Sequence, residues 1–143
     1  MSVLRKLRRK AHRSEYPAVP LGAGDFIPFR KMSEVILDFA QPLLGPMDNG
    51  YDEHEIETLV FAALCWNLSF MSAEEQREGI EQIVNETCRS DVACRIGLGE
   101  SANMLIRRKK SCFADDGRIV LDCKFIGGGD SQQFIVLSAL TKD

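Results

Sequence analysis

The sequence predicts an α+β fold, mainly helical, with about four helices around a central buried helix and a C-terminal antiparallel β-hairpin. Three observations carry this expectation. Residues 53–70 repeat apolar side chains at offsets of three and four and are apolar around most of their circumference, which places a helix in the middle of a bundle. Ser72-Ala73-Glu74-Glu75 has the S-x-x-E form of a capping box, where one helix stops and the next begins. From Arg118 the apolar period becomes that of a strand, and glycines at 127–129 divide two stretches rich in β-formers.

Residues 1–30 read as a basic N-terminal arm and an irregular connector, and residues 31–143 as one α+β domain. The connector, 14–30, holds three of the five prolines and two glycines, with Phe26, Ile27 and Phe29 as apolar anchors. The first helix is expected to start at Ser33, a good N-cap with Glu34 close behind. Val35, Ile36, Phe39, Ala40 and Leu43 form its stripe. Pro42 is expected to kink or end it, because proline lacks an amide proton and crowds the carbonyl of Asp38.

The central helix opens on Asp52, Glu53, Glu55 and Glu57, where the helix dipole favours negative charge. The third helix turns Ile80, Ile83, Val84 and Thr87 or Cys88 inward and Glu74, Glu78, Glu81 and Glu86 outward. Residues 89–99 are ambiguous because Gly97 and Gly99 interrupt a helical pattern, and a last helix is expected over roughly 100–112. In the hairpin, Phe125 is paired with Gln132, Cys123 with Phe134 and Leu121 with Val136, a register that gathers most large apolar side chains on one face.

At 143 residues, with 45% apolar and 27% charged side chains, the composition is that of an ordinary globular protein with enough apolar mass for a core. The longest apolar run, Leu59 to Trp66, is far short of the ~18–20 residues of a membrane span. Five cysteines form an odd set without C-x-x-C, and no secretory segment is evident, so a reduced, cytoplasmic protein is expected. Cys88 and Cys94, six apart, read as small buried apolar residues.

Net charge is −3, unevenly spread. Arg5, Lys6, Arg8, Arg9, Lys10 and Arg13 lie in the first 13 residues with no acid among them. The remainder carries 12 basic and 21 acidic residues, a charge of −9. Val3, Leu4, Leu7 and Ala11 fall on one helical stripe of this arm. Nucleic-acid phosphates, an anionic membrane surface and an acidic protein partner all suit such a segment, as does an organelle-targeting role, and a solvated terminus is the plain alternative. Arg107-Arg108-Lys109-Lys110 is a second basic run, but consecutive helical residues point about 100° apart and so ring the helix.

No catalytic constellation stands out. Asp122-Cys123-Lys124 has the D-x-K form of metal-dependent nucleases, yet the nearest acids before it, Asp115 and Asp116, sit in the turn that begins the same strand, and a second acid-bearing strand is missing. Gly127-Gly128-Gly129-Asp130 lacks the following helix and the G-K-[ST] ending of a phosphate loop. His12 and His54 are far apart, so neither zinc nor any cofactor is expected, and a Cys–His pair would depend on His54 alone. Asn67, inside the apolar stripe beside Trp66, is expected to satisfy a neighbouring backbone group or to fix register, with a binding role as the lesser alternative. Val120, Ile135 and Leu137, with Asp122, Lys124 and Gln133, occupy the hairpin's opposite face, which suggests self-association. The function expected is therefore a non-enzymatic interaction or regulatory module, with a nucleic-acid accessory protein and then a metal-dependent hydrolase behind it.

Overall fold

A computed structural model describes residues 30–46, 50–128 and 131–141. The elements run α1 (Met32–Leu44), α2 (Glu53–Leu68), α3 (Ala73–Cys88), α4 (Val92–Cys112), β1 (Arg118–Ile126) and β2 (Gln133–Leu140). The fold is α+β and mainly helical, ending in a two-stranded antiparallel hairpin. The predicted arm and connector, Arg30 apart, lie outside the described residues.

The apolar repeat of α2 makes it the centre of the packing. Leu59, Ala62, Cys65, Trp66 and Leu68 are all buried, and α2 touches every other helix and β1. Its start is fixed by a capping box: Asp52 accepts from the Glu55 amide at 2.7 Å, and Glu55 accepts from the Asp52 amide at 3.0 Å. Ser72 and Glu75 form the second box at the start of α3, where the sequence placed it. Ile83, Val84 and Cys88 face inward as expected. The main core joins α1, α2, α4 and the hairpin, while Leu68, Ile83 and Ile106 form a smaller cluster under α3.

Several expectations are corrected. Helix α1 begins at Met32, one residue before the expected Ser33 cap, and Lys31 stands at the cap without a side-chain bond. Met32 is itself buried on the inner face, so packing draws the helix one residue upstream. Pro42 does not end the helix, which continues to Leu44. Proline leaves the Asp38 carbonyl without its intrahelical donor. Arg108 of α4 supplies one instead, its Nη2 donating to Asp38 O at 3.0 Å and its Nε to Phe39 O at 3.1 Å.

Helix α4 is continuous from Val92, so residues 89–99 and 100–112 are not separate elements. Asp91 caps it by accepting from the Cys94 amide at 3.1 Å, and a cap contributes about 1 kcal/mol, comparable to the cost of one helical glycine. Nor are all the cysteines free. Arg89 closes α3 with φ of 52°, and the tight turn brings Cys88 and Cys94 to a Cα separation of 5.5 Å, where they form a disulfide.

The hairpin register also differs. Phe125 pairs with Phe134 and Cys123 with Val136, two positions from the expected partners, and the ladder slips again between Val120 and Asp122. A shift of two keeps the apolar face, which is why patterning did not detect it. The slip is a bulge at Leu121. It moves Val120 to the inner side opposite Ser138, where it is 0% exposed, so Val120 does not belong to the outer interaction face.

Candidate functional site

The placement of β2 follows from how α2 grips β1. Asn67 is 3% exposed and its amide takes both backbone groups of Val120, Nδ2 donating to Val120 O at 2.7 Å and Oδ1 accepting from Val120 N at 2.8 Å. One turn of side chain thus does for β1 what a neighbouring strand would do. Trp66 adds a third bond, Nε1 donating to Arg118 O at 2.6 Å. The sequence singled out Asn67, and its role is the backbone satisfaction expected of a buried amide.

These bonds also orient the ladder. Val120 directs its N–H and C=O away from β2, so its partner Ser138 is in a non-hydrogen-bonded pair and directs its own away from β1. Residues alternate along a strand, so Val136 and Phe134 share the orientation of Ser138. The bond from Thr141 N to Gly117 O fits the same alternation. Among the described residues, no hydrogen bond outside the hairpin ladder reaches the backbone of 133–140. The strand, QFIVLSAL, contains neither charge nor proline, the usual guards of an exposed edge. On β2 itself Leu137 is 46% exposed and Ile135 is half-buried.

The D-x-K residues do not converge with other acids. Asp122 accepts from the Cys123 amide at 3.0 Å. Asp116 is held by Arg118 through bonds of 2.6 and 2.9 Å. Among the described residues, no group of three His, Cys, Asp or Glu side chains could hold a metal ion. Gly127, at φ of 87°, opens the turn between the strands, and a side chain there would meet Ser131 O at 2.9 Å. Cys65 is buried and burial pushes its thiol well above the ordinary value, which disfavours the thiolate a nucleophile needs. His54 lies exposed at the start of the same helix.

The second basic run is largely turned to structural use. Arg108 holds α1, and Lys109 is only 4% exposed. The Lys109 ammonium donates to Phe113 O at 2.8 Å and sits 4.7 Å from the ring centres of both Trp66 and Phe70. Arg107 and Lys110 remain exposed. The predicted binding residues Arg5, Lys6, Arg8, Arg9, Lys10 and Arg13 lie outside the described residues.

Burial lowers the Lys109 pKa from its ordinary 10.5, while Asp116 and Asp115 pull it upward by a smaller amount. A lysine whose folded pKa lies below its unfolded value binds fewer protons when folded, so its contribution to stability improves as pH rises towards 10.5. The stability difference between wild type and Lys109→Met should therefore move in favour of wild type from neutral to alkaline pH, as read by urea unfolding at a series of pH values. A constant difference would mean that the aromatic rings offset the burial of the charge.

No helix among the described residues is long and apolar enough to cross a membrane. Comparison with protein families, curated proteins and solved structures gives no match to this chain.

Proposed function

We propose that the protein is a non-enzymatic interaction module that pairs with a second copy of itself through the open edge of β2. The observation that carries this reading is the unpaired, uncharged edge of residues 133–140, flanked by the exposed side chain of Leu137. An antiparallel pairing of β2 with β2 is self-complementary and satisfies a two-fold axis, the commonest symmetry of homo-oligomers. Main-chain bonds supply the affinity and the alternating side chains the specificity.

Sedimentation velocity over a range of concentrations tests it. The wild type should pass from monomer to dimer. Ser138→Pro should remain monomeric, because it deletes an outward-directed N–H while leaving the hairpin's own bonds in place. Leu137→Lys, which places a charge beside the edge, should also weaken association. A wild-type mass that stays monomeric at every concentration overturns the proposal.

A further inference from the structure

A groove of about 730 Å³ is lined by residues of the four helices, with none from the hairpin. Its apolar lining comes from Ile56, Val60, Phe61 and Leu64 of α2, Ile83 of α3 and Leu98 of α4. The polar residues His54 and Glu57 stand on its α2 side, and no Lys or Arg lines it among the described residues. Glu53, one turn before Glu57, is exposed at the same end of α2. An apolar trough between helices with acids at its margin suits an amphipathic helix that carries basic residues beside its apolar stripe.

The chain contains a segment of that chemistry. Val3, Leu4, Leu7 and Ala11 have the spacing of helix-in-groove anchors, and six Lys/Arg surround them without an acid. The rest of the chain carries −9, so the charges are complementary. Reach is not limiting. Leu43, at the far end of α1, lines the groove, and a helix the length of α1 spans only ~20 Å. The eighteen residues 14–31 can extend about 60 Å. We propose that residues 3–11 dock in this groove of their own chain, apolar stripe inward and basic residues towards Glu53 and Glu57.

Amide spectra of the ¹⁵N-labelled full chain test this. Leu4→Asp/Leu7→Asp should shift amides in 54–64, 83–87 and 98–101, and raised salt should move the same signals in the same direction. Val60→Lys, made from the groove side, should shift the amides of residues 3–11. Both responses should persist on dilution, since the contact lies within one chain. Shifts confined to residues 1–30, or centred on the hairpin, overturn the proposal. Groove shifts that vanish on dilution also overturn it, because they assign the contact to another copy. Ser138→Pro in the same background keeps the groove response if β2 pairing and arm docking are separate.

Discussion

Asn67→Leu should lower the unfolding free energy by about 2–6 kcal/mol, because two buried backbone groups of one residue lose their partner together and each unsatisfied group costs about 1–3 kcal/mol. Leucine has the same number and branching of side-chain heavy atoms and is the bulkier residue, so none of the loss comes from a cavity. Urea denaturation should show a lower midpoint with an unchanged slope. A loss below about 1 kcal/mol would mean that water or relaxed geometry replaces the amide. Asn67→Asp separates the two bonds. An ionised carboxylate still accepts from Val120 N but opposes Val120 O, whereas the protonated form donates to it. The new carboxyl should have its folded pKa raised above the usual ~3.9. That variant should be closest to wild type in acid and lose stability as pH climbs through the unfolded and then the folded pKa.

Trp66→Ala should cost about 3–5 kcal/mol, the range for deleting a fully buried large aromatic. Trp66 packs edge-on against Phe39 at 5.1 Å and Phe113 at 5.7 Å, lies under the Lys109 ammonium and holds Arg118 O. Trp66→Phe keeps a ring but removes the indole N–H that donates to Arg118 O, for a loss of about 0.5–1.5 kcal/mol from the hydrogen bond. Trp66 and Asn67 hold residues two apart on one strand, so the double variant Trp66→Phe/Asn67→Leu should lose less than the two single losses combined. Neighbours sharing a partner couple by about 0.5–3 kcal/mol. Additive losses would show that the two side chains act independently. Trp66 is the sole tryptophan, so in every variant that retains it, fluorescence follows the docking of the hairpin directly.

What the sequence disclosed was what local chemistry decides. The two capping boxes need only residues three apart, and both occur where Asp52 and Ser72 place them. The apolar circumference of 53–70 called for burial around most of the helix, and α2 is buried from Thr58 onward except along Val60, Phe61 and Leu64, which are half-buried at the groove. Asn67 was conspicuous as a polar residue in that stripe, but its partner is 53 positions away and no spacing rule reaches it. Leu121 left no trace either, since an extra leucine in an apolar alternation looks like another member of it. Counting pairs without the bulge kept Val120 on the outer face. Gly97 and Gly99 concealed the continuity of α4, because the Asp91 cap and packing against α3 outweigh two unfavourable propensities. The Cys88–Cys94 bridge depends on the turn at Arg89, and an odd number of cysteines without paired spacing gave no sign of it.

The amide of Asn67 has a consequence for valency. A hairpin with two bare edges can propagate, each copy offering a strand at both ends. Here α2 meets one of those edges with a side chain in place of a strand, and because Asn67 takes both backbone groups of Val120, no further strand can pair with β1 at that residue. A unit with a single adhesive edge, joined head to head about a two-fold axis, uses up that edge in the joining. On the proposed β2–β2 pairing, assembly ends at four strands and two chains, and the residue that anchors the hairpin also closes β1 to a further strand at Val120.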